Sequence, residues 1–389
     1  MLLEEKIHGM RALNTHSHHQ VDAFFADMNL DTLLENSYVS WCGLTPGDSM
    51  STRQTYLDLV RHKSYFVWLM KAVKKLYEIE EDLEPFTWDM YSKAIKEANT
   101  DPAWHKAVLK VMCGYEKVIV DAYWDPGAHN DDKLFTSTFR IDSLMFGYAK
   151  DAVNHNGFSP QVLYGKSYDN LDSYMRFVRE LIKEKVDGGC VALKCAMAYD
   201  RPIDFDKTAK AQAEKAFSAP TAANVRQFQN YLFHQICDIA AELHVPLQCH
   251  TGMGQLHGTR AMNLLGPIEQ HPKTKFVLFH GGFPWTEEAS ALLHYLENVY
   301  IDICWLPLLS PTIAETVLHT LIEIGTADKV SWGCDTWTSE ESAGARMALD
   351  HVLGKVLFSK IENGYFSQAD AMRVAENILH RNAKELYKL

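Results

Sequence analysis

Eight short apolar runs, most of them separated by stretches of helical period, predict a (β/α)8 barrel of the TIM type. Several runs are continuously apolar, as strands of a parallel sheet buried on both faces must be. No Gly-x-Gly-x-x-Gly turn follows any of them, which removes the chief sign of a doubly wound open sheet. A chain of 389 residues accommodates this barrel as one domain, 1–389, with a substantial insertion.

The elements follow in order. Residues 1–9 form a lead-in, and 10–19 carry the first strand and the run Asn14-Thr15-His16-Ser17-His18-His19. Residues 20–110 read as helical, too long for an ordinary strand-to-helix loop, and are expected to form an insertion that walls or lids the first strand end. Within it, 51–79 reads as one long amphipathic helix, followed by helices at 87–98 and 103–113, the last started by Asp101-Pro102. The remaining strands are expected at 117–123, 134–144, 189–194, 246–250, 275–280, 299–304 and 329–335. Helices fall at 168–186, 221–243, 287–296, 312–324, 342–358 and 367–386.

Composition bounds the function. Hydrophobic residues at 47% and charged residues at 23% suit a globular protein with a large core. A net charge of −12 argues against nucleic acid or an anionic membrane as partner, and leaves a small-molecule substrate. No apolar stretch is long enough to span a bilayer, and the opening Met-Leu-Leu-Glu-Glu-Lys is too polar for a signal peptide. Eight scattered cysteines without a Cys-x-x-Cys pair then indicate reduced thiols in a cytoplasm. Assembly into a homo-oligomer is left open.

The chemistry lies at the strand ends. On a strand, His16 and His18 share a face, with Ser17 between them. A lone His-x-His is as readily a polar loop as half of a metal site. Strand four, however, ends in Lys194, strand five in His250, strand six in His280 and strand eight in Asp335. In a parallel barrel these ends converge on one mouth. Imidazoles and a carboxylate suit Zn2+, and also Mn2+ or Fe2+. Lys194 is the odd member: a neutral buried amine can form a carbamate that bridges two ions, and an ammonium can hold a substrate carboxylate. Arg140, within strand three, is either a structural partner or a carboxylate clamp. For His19, His257 and Arg260 a second-shell or solvated role is the default; for Asp121 it is capping. Trp285, Trp305 and Trp337 shape a pocket wall or pack the barrel, and Asp302 lies one residue off the mouth.

Together His16-Ser17-His18, Lys194, His250, His280 and Asp335 resemble the amidohydrolase superfamily, whose distorted (β/α)8 barrel carries ligands on strands one, four, five, six and eight. The phrases LKCAMAYDRP (193–202), QCHTGMGQ (248–255), LFHGGFPWTEEA (278–289), VYIDICWLPLLSP (299–311) and WGCDTW (332–337) are similar to the FluG-like, amidohydrolase 2 branch. In that branch the strand-four phrase resembles Lys-x-x-x-Ala-Tyr-Arg. Lys194 and Tyr199 match it, whereas Asp200 stands where Arg would be, with Arg201 next. The N-terminal stretch is also similar to uronate isomerases, from which His280 departs.

The resemblance implies one or two divalent ions, most simply Zn2+, on His16, His18, Lys194, His250 and Asp335. Asp335 and His280 are the implied catalytic residues, and Arg140, Tyr199 and Arg201 the substrate-binding ones. The implied activity is hydrolysis of a C–N or C–O bond, in an amide, lactone or related small molecule, by a metal-activated water. The alternatives are an isomerase or decarboxylase at the same site, and a regulatory domain that holds a metal without catalysis.

Overall fold

The computed structural model describes residues 3–131, 133–325 and 327–389. Eight parallel strands, β1 (Ala12–Ser17), β2 (Tyr115–Val120), β3 (Phe135–Arg140), β4 (Cys190–Cys195), β5 (Leu247–Cys249), β6 (Phe276–Leu278), β7 (Val299–Asp302) and β8 (Val330–Ser331), are hydrogen-bonded in chain order. All eight predicted strands are present, several shorter than their apolar runs. Helices on the outside complete a (β/α)8 barrel.

The barrel closes where β8 meets β1. Thr15 N donates to Trp332 O (3.3 Å), Asp335 N to His16 O (2.9 Å) and His18 N to Thr336 O (2.9 Å). Gly333 makes this approach possible, because a Cβ there would lie 2.4 Å from His16 N. Beneath the closure lies a buried polar knot. Asp302 accepts from Ser331 Oγ (2.8 Å), Cys304 N (2.8 Å), Gly333 N (3.1 Å) and Thr15 Oγ1, so one carboxylate ties β1, β7 and β8. Asn14 Oδ1 accepts from Cys334 N at 2.9 Å. A carboxylate so fully hydrogen-bonded can be buried; one left unpaired could not.

Between β1 and β2 the helices gather round an apolar cluster of their own, including Leu33, Tyr56, Leu69, Trp88 and Ile95. The expected continuous helix over 51–79 is two helices, Met50–Val60 and Ser64–Leu76. The break at 61–63 turns Arg61 onto Glu84, which it grips through both guanidinium nitrogens (2.6 and 2.8 Å). Both halves pack in the local cluster, the first through Tyr56 and Leu57 and the second through Leu69 and Val73, and the second also reaches the barrel core through Trp68 and Ala72. The expected helix over 367–386 is present as a continuous helical stretch from Gln368 to Tyr387, widened to a π-type turn at Asn377–Arg381.

At the barrel's other end, Arg346 lies 1% exposed on the helix Ser339–Glu362. Its Nε donates to Asp350 Oδ1 (2.8 Å), Nη1 to Cys113 O (2.7 Å), and Nη2 to Ile7 O (3.0 Å) and Met10 O (3.2 Å). This guanidinium holds the segments leading into β1 and β2. R346A leaves a buried carboxylate and several carbonyls without their donor, and is expected to lower stability by about 3–5 kcal/mol. Urea denaturation checks this: the midpoint moves to lower urea in R346A, and R346K recovers only part of the loss, since an ammonium cannot span both sides.

Candidate metal centre and active-site cavity

The strand ends open into a cavity of about 200 Å³. Its floor is lined by His16, His18, Asp121, Lys194, His250 and Asp335. Tyr199 and Arg140 stand on one wall, and Tyr38, Trp41, Tyr123 and Trp337 add aromatic surface. Tyr38 and Trp41 come from the segment between β1 and β2, so the helical insertion contributes directly to the cavity.

Asp335 is the hub. Its Oδ1 lies 3.2 Å from His16 Nε2 and 3.1 Å from His18 Nε2, and its Oδ2 lies 3.8 Å from His280 Nδ1. His18 Nδ1 sits 2.7 Å from the Asp121 carbonyl, which can only accept, so the proton is on Nδ1. His18 Nε2 then faces a carboxylate oxygen, and at this distance the pair needs a shared proton or a cation between them. Nitrogen and oxygen ligands about 2.0–2.2 Å from a small divalent ion stand about 3.0–3.5 Å from one another. The spacing of His16, His18 and Asp335 therefore fits an ion, and the Asp121 carbonyl orients one ligand as outer partners of metal-bound histidines do.

Burial, reinforced by Lys194, pushes His16 down to about 3, which keeps its imidazole neutral and available as a ligand. Burial alone would raise Asp335, but His16 and His18 outweigh it and hold the carboxyl well below the usual range. Lys194 is lowered by burial. Its Nζ has no hydrogen-bond partner among the described residues and lies 3.6 Å over the Phe279 ring.

His250 and His280 form a relay. His250 Nε2 donates to Met253 O, which fixes its Nδ1 as the acceptor from His280 Nε2 at 3.1 Å. Both nitrogens of His250 are thus engaged, and it has no lone pair for a metal in this arrangement. His280 Nδ1 faces Cys304 Sγ (3.3 Å), the Cys304 carbonyl (3.4 Å) and Asp335. Ligand atoms of His280, Cys304 and Asp335 form one compact group, and those of His16, His18 and Asp121 another. His280 and Asp335 both have left-handed backbones (φ 63° and 60°), conformations that cost energy in non-glycine residues and persist where the surroundings enforce them.

Arg140 lines the cavity but is held from behind. Nε donates to Asp142 (2.7 Å) and Nη1 to Asp121 (3.1 Å), and Nη2 has no hydrogen-bond partner among the described residues. Arg201, expected to bind substrate, does not reach the cavity. Its guanidinium donates to Pro202 O (2.9 Å), Asp204 O (3.2 Å) and Gln229 Oε1 (3.3 Å) and stacks on Phe205, an apolar and carbonyl-rich setting that fixes the β4 loop. Asp121, expected to cap, is instead buried at the cavity floor between His18 and Arg140. Its place at the end of β2 was the signal. His19 is buried against Phe25, Phe135 and His105. Arg260 pairs with Glu288 and stacks on Trp285, outside the cavity. Trp337 stacks on His18 (5.4 Å), and Trp305 packs edge-on to His280 (5.5 Å).

Comparison with known proteins agrees with this geometry. Residues 209–389 match the family model described as Amidohydrolase. Protein fluG of Emericella nidulans is 25% identical over 339 residues, which is 78% of this chain and 38% of that protein. By these two matches the chain is similar to the amidohydrolase superfamily. It spans well under half the length of that fungal relative. Among solved structures, uronate isomerase from Thermotoga maritima superposes with a TM-score of 0.77 at 15% identity, over 99% of this chain and 96% of that one. A candidate metal-dependent hydrolase from Lactobacillus casei gives 0.73 at 15% identity, over 99% and 97%. Glucuronate isomerase from Caulobacter crescentus gives 0.73 at 14%, over 99% and 93%. These likenesses establish the shared fold. No helix among the described residues is long and apolar enough to cross a membrane.

Glu341 braces the cavity rim. It is buried, and its oxygens accept from Tyr38 N (2.7 Å) and Trp337 N (3.4 Å). Burial pushes its carboxyl up to about 8 from an ordinary 4.5, only partly countered by those bonds. The folded state therefore holds a proton that the unfolded chain releases, and stability falls as pH rises from about 4.5 to about 8. Melting temperatures across this window are expected to decline in the wild type and to lose this component in E341Q.

Proposed function

We propose that the protein is a metal-dependent hydrolase that opens a C–N or C–O bond of a small molecule, an amide or a lactone. The observation that carries this reading is the position of Asp335, with one oxygen on His16 and His18 and the other towards His280. His16, His18 and Asp335 would hold a divalent ion, Zn2+ by their donor set, which would supply Lewis acidity at the scissile carbonyl and the attacking water. Asp335 Oδ2 takes the proton of that water and hands it to the leaving nitrogen or oxygen. His280 Nδ1, lying between Cys304 and Asp335 Oδ2, is a second station for the same proton. Lys194 Nζ, without another partner, stabilises the oxyanion that develops. Arg140 Nη2 and Tyr199 orient the substrate. The helices of 20–110, through Tyr38 and Trp41, wall the cavity from water.

A second reading is isomerisation of a uronic acid, favoured by the open Nη2 of Arg140, which suits a carboxylate, and by the uronate isomerases among the structural neighbours. One experiment separates the two. Protein purified without chelators is assayed for metal, then offered N-acyl amino acids, lactones and uronic acids. Hydrolysis with metal bound is the expected result, and turnover of uronates alone would replace it with the second reading. D335N and H18A are expected to lose the metal and to lower kcat/KM by about 100-fold or more. Full activity in metal-free protein would sink both readings.

A further inference from the structure

Asp200 departs from the resembling strand-four phrase, and the structure shows what the acid does. Its Oδ1 accepts from the backbone N of His155 (2.7 Å) and its Oδ2 from His155 Nδ1 (2.8 Å). Both oxygens are thereby committed to one residue of a different loop. That loop, 154–158, is also braced from within. Asn154, 6% exposed, accepts through Oδ1 from the backbone N of Asn156 (3.0 Å) and Phe158 (2.9 Å). Its own backbone N donates to Phe158 O at 2.9 Å. A tip held in this way is ordered before any ligand arrives.

The tip belongs to the cavity. His155 and Asn156 line it, beyond Tyr199 as counted from the strand ends. The rings form a file, with His155 at 5.0 Å from Tyr199 and Tyr199 at 4.6 Å from His250. His155 is therefore one aromatic ring away from His250. With Nδ1 donating to Asp200, Nε2 is the remaining polar atom of the imidazole, and it has no partner among the described residues.

We infer that His155, positioned by Asp200, is a specificity-determining residue that meets the end of the substrate remote from the metal ligands, and that this end carries a carboxylate. The inference rests on the cavity being the active site, as proposed above. The outer wall offers donors: Arg140 Nη2, Tyr199 Oη, Asn156 and, when protonated, His155 Nε2. Asp121 and Asp142 lie behind Arg140, and Asp200 is turned onto His155, so no acid of this wall competes for the donors. An anion between Arg140 and His155 makes charge-assisted bonds with the guanidinium and meets the Nε2 edge of the imidazole that Asp200 holds. Asp200 acts through His155 and is a positioning residue.

The test uses the full, metal-loaded chain and calorimetric titration with D-glucuronate and with D-glucose, which differ by a carboxylate in place of a hydroxymethyl group. Wild-type protein is expected to bind glucuronate more tightly. H155A and D200A are expected to weaken glucuronate about tenfold and to leave glucose unchanged. The effects should not add in H155A/D200A, because both remove one interaction, and D200E should restore part of the affinity. H155Q, which keeps the side chain's size, serves if H155A melts early. Unchanged glucuronate affinity in both His155 variants overturns the proposal, and so does a wild type that does not prefer the carboxylate. Because binding is read without turnover, a protein that hydrolyses nothing but loses glucuronate in H155A would refute the hydrolase and keep this site.

Discussion

Asp335 can meet His16 and His18 only if the last strand of the barrel lies against the first. Everything that closes this seam therefore builds the site. Gly333 lets the backbones touch, where any side chain would strike His16. Asp302 gathers donors from β1, β7 and β8 directly below the ligands, and Asn14 clasps Cys334. The cost of burying these polar groups is offset because each is hydrogen-bonded, and their directionality fixes the register to within the tolerance that coordination demands.

The same seam explains the electrostatics of the floor. The imidazoles, carboxylates and amine of the floor are buried together, so each group takes the protonation state that its neighbours permit. Burial keeps His16 and His280 neutral, at about 3 and about 4, while the imidazoles keep Asp335 ionised. Arg140 remains charged because Asp121 and Asp142 flank it. The arrangement resembles a socket whose fixed negative charge and lone pairs are directed at one point. Left-handed backbones at His280 and Asp335 show that the chain accepts local strain to aim them.

Much of this was legible in the sequence because a parallel barrel repeats a simple rule. Apolar strands end at one mouth, so His16, His18, Lys194, His250, His280 and Asp335 could be brought together without coordinates. What escaped depends on contacts between segments far apart in the chain. The helical pattern of 51–79 runs on through a break made by tertiary partners, Glu84 and the barrel core. Arg201 beside Tyr199 looks like a pocket cation, yet loop packing turns it onto Phe205 and neighbouring carbonyls. Asp121 obeyed the strand-end rule and was given the commoner capping role. Tyr38, Trp41 and His155 carry no periodic signal, since loops and an insertion place them.

The dependence on the seam also orders events in time. The two histidines are near the start of the chain and the carboxylate near its end, with seven strands to be laid down between them. A chain still being made has a His-x-His pair but no third ligand, and could hold an ion only weakly. On the proposed reading, firm capture of an ion would wait until β8 has docked, after which the ion would cross-link the first strand to the last. Metal loading would then mark a finished barrel, with the ion its clasp as well as its reagent.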